Sequence, residues 1–229
     1  MKIALLGYGK MGKAIEQLAS QRGHTIGTTI DNEEEWGEHI DALRGCDVAI
    51  DFSTPSTAIG NIKKCFEIGM SVVVGTTGWY DQLDNIVAEC KEQGQALFVA
   101  SNFSIGMNIM FDLNRRLAEL MTGRDEYQVS LTETHHIHKL DAPSGTAITL
   151  ANDINSISAH ERMPIADIVS IREGEIAGIH EVVYDSDIDT IRLSHSAKSR
   201  KGLALGALLA AEFLLGKKGY FTMRDLLNQ

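Results

Sequence analysis

The segment Gly7-Tyr8-Gly9-Lys10-Met11-Gly12 joins an apolar β-like run at 3–6 to a helical run at 11–21, and that setting restricts the fold more than any other feature. Between strand and helix, the first glycine permits a tight turn and the second lets a pyrophosphate approach the backbone. The third allows the helix to pack closely on the sheet. The phosphates then meet the helix N-terminus, where free N–H groups and the helix dipole favour an anion. Runs at 25–30, 48–52, 71–74 and 96–99 also read as strands, while 55–68 and 80–93 have helical length and spacing. Strands alternating with helices imply a parallel, doubly wound sheet. The acidic stretch 32–41 is weakly periodic and is expected to be mostly loop.

Asp31 lies 19 residues beyond Gly12 at the end of the second strand, close to the spacing of about 20 expected for the acid that binds the adenine ribose. Asn32, Glu33, Glu34 and Glu35 follow it, with no adjacent arginine to hold a 2′-phosphate and three carboxylates to repel one. NADH is therefore the expected cofactor, while the ammonium of Lys10 in the phosphate loop keeps NADPH possible. Gly75-Thr76-Thr77-Gly78 follows the fourth strand, at the carboxyl edge where such sheets bind ligands. It reads either as a contact to the nicotinamide ribose or as a plain turn.

Length and charge narrow the class. The 229 residues suffice for two domains, and 44% hydrophobic with 23% charged residues is ordinary for a globular protein. A formal net charge of -10 disfavours nucleic acid and anionic membrane surfaces. The three cysteines, Cys46, Cys65 and Cys90, form no CxxC pair, and no signal peptide is read at the N-terminus, so a cytoplasmic setting is expected. The most apolar segment, 203–216, is 14 residues long and contains Glu212; a membrane span needs about 20.

Beyond Asn102 the pattern changes. A long helical run at 105–121 precedes β-like runs at 127–134, 168–172, 179–184 and 188–195, with a helix from Ser144. Strands in succession suggest a mixed sheet. The expected architecture is thus α/β: a Rossmann-like doubly wound domain over 1–103 and 204–229, and a smaller α+β domain with a mixed sheet over 104–203. The first should bind a dinucleotide and the second the substrate.

The densest chemistry lies in His135-His136-Ile137-His138-Lys139-Leu140-Asp141-Ala142-Pro143-Ser144-Gly145-Thr146. Read as extended chain, His136 and His138 share one side, while His135 and Lys139 reach the other. Pro143 suits a helix entry, and the N–H groups of Ser144, Gly145 and Thr146 can point at a carboxylate. Cations beside a helix start make a site for a small anion. His136 and His138 lack a neighbouring Cys, Asp or Glu cluster with zinc spacing, so no metal is expected. His138 reads as solvated or structural, Asp141 as a turn residue, and Met107, Met110 and Met121 as core.

Together these motifs resemble the dihydrodipicolinate reductases of bacterial lysine and diaminopimelate synthesis. The resemblance covers nearly the whole chain: the Gly7–Gly12 loop, Gly75 to Gly78, residues 101–108, the block from Glu133 through Thr146, and 195–200 followed by Gly206 and Ala207. It implies a pyridine-nucleotide-dependent reduction of the cyclic dicarboxylate derived from 4-hydroxy-tetrahydrodipicolinate to tetrahydrodipicolinate, by a homotetramer assembled through the second domain's sheets. It further implies His135 and Lys139 as proton donors and His136, Gly145 and Thr146 as carboxylate binders. The implied cofactor contacts are Gly7 to Gly12, Asp31, Gly75, Thr76, Thr77, Ala100, Ser101, Asn102 and Phe103, with Arg200 nearby. Another two-domain amino-acid or imino-acid dehydrogenase, or a non-catalytic dinucleotide sensor, is the alternative.

Overall fold

The computed structural model describes residues 1–157 and 163–228; residues 158–162 and 229, which fall within the expected domains, lie outside the described residues. Five apolar runs of the first hundred residues form β1 (Lys2–Leu6), β2 (Thr25–Ile30), β3 (Val48–Asp51), β4 (Val72–Val74) and β5 (Ala96–Val99), all pairing in parallel. β3, β4 and β5 are buried along their whole length, as expected of parallel strands covered on both faces. Alternation along β1 separates those faces: Ala4 and Leu6 pack with Trp36, Ile62, Phe66 and Trp79, whereas Ile3 and Leu5 pack with Ile15, Phe98, Phe103 and Leu208.

The sheet order is β2-β1-β3-β4-β5, so the chain reverses direction across the sheet between β1 and β3. Ligands of doubly wound sheets bind beyond the carboxyl ends of the strands at such a point. Helices α1 (Lys10–Gln21), α4 (Pro55–Glu67) and α5 (Leu83–Glu92) make the crossovers. The stretch 32–41, expected to be mostly loop, instead forms α2 (Glu33–Glu38) and part of α3 (Ile40–Arg44). Asn32 caps α2 by accepting the Glu35 N–H, the three glutamates favour its positive end, and Trp36 and Leu43 bury the other side.

In the second half, α6 (Ile105–Leu120), β6 (Gln128–His135), α7 (Gly145–Ile157), β7 (Val169–Arg172), β8 (Ile179–Asp185) and β9 (Thr190–Ser196) follow in turn. The four strands form a mixed sheet, β7-β6-β8-β9, in which β6 and β7 are parallel and the other pairs antiparallel. Met107, Met110 and Phe111 of α6 and Leu150 and Ile154 of α7 pack on Leu131, Val182 and Tyr184 of the sheet. The opposite face carries Ser130, Thr132, Val169, Ile171, Val183 and Arg192, with Val169 and Ile171 exposed.

The helix α8 (Lys201–Leu214) returns to the first sheet with its small residues Ala204, Ala207, Ala210 and Ala211 buried. Close approach is enforced at Gly206, where a Cβ would stand 1.7 Å from the Phe103 carbonyl oxygen. The tail supplies a sixth parallel strand, β10 (Gly219–Phe221), beside β5, and a short helix α9 (Met223–Leu227). By its contacts the chain divides into two compact units, Met1–Ile105 with Lys201–Gln229, and Gly106–Arg200. Among the described residues, no helix is long and apolar enough to cross a membrane.

Candidate functional site

The first unit holds a cavity of about 440 Å³ lined by Gly9, Lys10, Met11, Phe52, Ser53, Pro55, Gly75, Thr76 and Thr77. It opens at the β1/β3 switch point, because these residues follow β1, β3 and β4. Gly7 adopts φ +89°, and a Cβ there would meet the Phe52 carbonyl oxygen at 2.4 Å. A Cβ on Gly12 would meet the Gly7 oxygen at 2.5 Å, whereas none of the structure lies within 4 Å of a Cβ on Gly9. Gly7 and Gly12 thus shape the loop, and Gly9, the uncapped N-cap of α1, leaves the open approach a pyrophosphate requires. The residues present fit a dinucleotide.

Beneath the cavity is a carboxylate that belongs to none of the sequence motifs. Asp51, at the end of β3, is fully buried and accepts hydrogen bonds from Thr76 Oγ1 (2.6 Å), Asn61 Nδ2 (2.8 Å), Ser53 Oγ (2.8 Å) and Ser53 N (3.1 Å). Burial pushes its pKa up against the opposing pull of those donors. Thr76 is therefore anchored by its hydroxyl, and its carbonyl accepts the Trp79 indole N–H at 2.8 Å. Gly75 is small for the sake of Phe52, whose ring a Cβ would enter at 2.2 Å.

Other expected cofactor residues stand outside this lining. Asp31 Oδ1 accepts the Tyr8 N–H, and Asp31 itself is exposed just beyond β2. Ala100 continues the ladder to Val74, Asn102 Oδ1 accepts the Ser104 N–H, and Ser101 is exposed. The Phe103 ring is buried in the core against Phe98 and Phe52, so it reaches the cavity only through Phe52. Arg200 belongs to the second unit, where its Nη2 lies 3.4 Å from His136 Nε2.

The second unit gathers charge around one residue. Glu133 and His135, two apart on β6, point into the same buried face. Glu133 is fully buried; its Oε2 lies 2.5 Å from His135 Nδ1, and its Oε1 accepts Arg172 Nη2 (2.9 Å) and the Ser144 N–H (3.2 Å). Burial would raise its pKa, yet the hydrogen bonds from Arg172 and Ser144 and the field of His135 outweigh that and hold it at about 2. Burial holds the His135 imidazole below the usual histidine range, opposed by Glu133 and reinforced by Lys139 and Arg172. His180, paired with Glu133 across β6 and β8, is pushed down to about 4, first by burial and then by His135.

Two expectations need correction here. The strand ends at His135, and residues 136–139 form a turn closed by the Lys139 N–H on the His136 carbonyl, so this turn, not strand alternation, sets the His136 and His138 rings 6.1 Å apart and Lys139 near His135. Ser144 is buried, its N–H given to Glu133 and its Oγ 3.2 Å from His180 Nε2, so it serves the interior. It caps α7 by accepting the Ala147 N–H at 3.2 Å, while Gly145 at the helix start is exposed. Lys139 Nζ donates to both Asp141 oxygens at 2.8 Å, and the Arg172 guanidinium holds the same turn through the carbonyls of Lys139 (3.4 Å) and Asp141 (2.6 Å). His138 sits on the surface, 3.2 Å from Glu175. The donor atoms of Glu133, His135 and His180 lie within 4.8 Å of one another, as a metal site would require. Glu133 Oε2 and His135 Nδ1 are already only 2.5 Å apart, and the Arg172 guanidinium occupies Glu133 Oε1, so the carboxylate already has a cation beside it.

A family model described as dihydrodipicolinate reductase, N-terminus, matches residues 1–103, and one described as dihydrodipicolinate reductase, C-terminus, matches residues 106–227. The 4-hydroxy-tetrahydrodipicolinate reductase of Christiangramia forsetii is 47% identical over 236 residues, covering 100% of this chain and 98% of that one. The enzyme of the same name from Thermosipho africanus is 35% identical, covering 100% and 99%. In fold, the chain is similar to a dipicolinate-bound dihydrodipicolinate reductase from Paenisporosarcina sp. TG-14, with a TM-score of 0.75, 20% identity and 97% of each chain covered.

Proposed function

The chain belongs to the dihydrodipicolinate reductase family, an oxidoreductase family of lysine and diaminopimelate synthesis, and from that membership we propose how its residues divide the work. It reduces the cyclic dicarboxylate derived from 4-hydroxy-tetrahydrodipicolinate to tetrahydrodipicolinate, using a nicotinamide cofactor. When bound, the reduced nicotinamide supplies the hydride. Gly7, Gly9 and Gly12 with the start of α1 hold the pyrophosphate, Asp31 the adenine ribose, and Thr76 and Thr77 the nicotinamide ribose.

Lys139, released from Asp141, binds one substrate carboxylate, and the N–H groups of Gly145 and Thr146 with His136 bind the other. His135 gives the proton that follows the hydride, from Nε2, the nitrogen that does not face Glu133. Gly178 lies against that nitrogen, where a Cβ would come within 3.0 Å. Before substrate arrives, burial favours the neutral ring; two substrate carboxylates add negative charge beside it and favour the imidazolium. The observation that carries this reading is the single carboxylate, Glu133, that joins His135, the Lys139 turn through Arg172, and the start of α7.

NADH is the preferred cofactor, because Glu35 folds its carboxylate onto the Asp31 N–H and the Asn32 amide and so stands where a 2′-phosphate would be repelled. The sheet face that exposes Val169 and Ile171 supports a homotetramer, and the three free thiols, two of them buried, suit the cytoplasm. The test follows NADH and NADPH oxidation by purified protein, with substrate formed in place from pyruvate and aspartate semialdehyde. Turnover with both nucleotides, faster with NADH, is expected, and His135→Ala should lower kcat by about 100-fold or more. Nucleotide binding without turnover would sink the reductase, faster NADPH oxidation the preference, and sedimentation of the same sample as a monomer the tetramer.

A further inference from the structure

Two carboxylate oxygens can satisfy a buried glutamate in several ways, and Glu133 divides them. Oε1 takes Arg172 and the Ser144 N–H, which would suffice for a purely architectural carboxylate. Oε2 and the His135 Nδ1, both buried and neither hydrogen-bonded to any other group, lie 2.5 Å apart. We infer that Glu133 is the positioning residue of this site: it holds the His135 ring by Nδ1, leaves Nε2 for the substrate, and stands as counter-charge to the imidazolium.

The placement follows from strand geometry. Residues two apart on β6 share a face, which brings Glu133 beside His135, and the parallel register of β7 sets Arg172 opposite His135. The groups facing His135 are then Glu133 from its own strand, Arg172 from β7, His180 from β8 with ring centroids 5.1 Å apart, and Lys139 from the turn after β6. Arg172 and Lys139 disfavour a second proton on His135, as a charged His180 across the 5.1 Å ring contact would, whereas Glu133 favours it. Arg172 and Ser144 keep Glu133 ionised, so it stabilises the imidazolium without taking the proton. In the step itself the Nε2–H bond breaks and a bond to the substrate ring forms. The electron pair comes from the ring that has just received the hydride, Nδ1–H stays on Glu133, and His135 ends neutral.

This inference rests on His135 as the proton donor, and the experiment separates the two. In Glu133→Gln the imidazolium loses its counter-charge, so the alkaline limb of the kcat–pH profile should move to lower pH by about one unit or more. At neutral pH kcat should fall by about tenfold or more, with KM for NADH unchanged, and Glu133→Asp should restore part of the loss. A structural role alone would lower kcat equally at every pH, and an unmoved limb would overturn the inference. Nitrogen-15 shifts of the unmodified, substrate-free protein give an answer that depends neither on turnover nor on the variant folding. The His135 proton on Nδ1 supports the inference, and the proton on Nε2 with Nδ1 bare overturns it. Loss of turnover in His135→Ala tests the donor assignment separately.

Discussion

Each unit buries a carboxylate completely near the carboxyl end of a strand, Asp51 on β3 and Glu133 on β6, and the two are satisfied in opposite ways. Asp51 is surrounded by neutral donors from Ser53, Thr76 and Asn61, and burial pushes its pKa up. Glu133 has a guanidinium on one oxygen and an imidazole on the other and is held at about 2. Neutral donors around a carboxylate fix a shape, here the loop that carries Thr76 and Thr77 to the cavity. Charged partners also fix a protonation state, which is what the proposed proton transfer from His135 requires.

The contrast breaks first by removing one partner from each cage. Arg172→Met leaves Glu133 buried without its cation and should cost about 3–5 kcal/mol, since an uncompensated buried charge is among the largest single-site penalties. Asp51→Asn removes a charge that has no buried cation to leave behind and should cost about 1–2 kcal/mol in imperfect hydrogen bonds. Urea unfolding of both variants reads the difference; equal losses would mean that the two cages differ only in chemistry, not in energetics.

Acid sharpens the contrast. His180 has a folded pKa of about 4, below its ordinary value of 6.5. Its neutral form is favoured by folding, so its contribution is complete above about pH 6.5 and is lost as pH falls toward 4. Glu133, also depressed, loses its contribution lower still, as pH falls from about 4.5 toward 2. Asp51 runs the other way: its raised folded pKa means that protonation favours the folded state, and its contribution is lost as pH rises. Amide exchange at about pH 7 and pH 5 should therefore show β6 and β8 losing protection before β1 and β3 do. Equal loss in both sheets, or earlier loss in β1 and β3, would count against this ordering.

The first unit was the more legible in sequence because its determinants are local. A glycine loop between strand and helix, and strands buried on both faces, leave continuous apolar runs that any window of residues displays. Where such a window is too short or too polar, legibility fails: β10 has three residues, and α2 hides under a run of glutamates. For α2 a signal was present, because Asn32 followed three residues later by Glu35 is the spacing of a capped helix start. In the second unit the histidines and Lys139 stand out by type, but their arrangement depends on Arg172, 39 residues from Glu133 in sequence. No window spans that distance. Glu133 itself could have been found from its place two residues before His135 on a strand, where both must face the same way.

The smallest expected effect belongs to the most conspicuous residue of that block that lies outside the cluster. His138 stands between His136 and Lys139 in sequence, but in the turn its side chain is 69% exposed and faces Glu175, itself 80% exposed. Such a pair contributes little, since water screens both charges and ordering two mobile side chains offsets the gain. His138→Ala should shift stability by less than about 0.5 kcal/mol and leave kcat within about twofold. A tenfold fall in kcat, measured beside His135→Ala, would show that the turn carries His138 to the substrate. The boundary between the buried Glu133 cluster and a solvated rim would then have to be redrawn to include the whole run from His135 to Lys139.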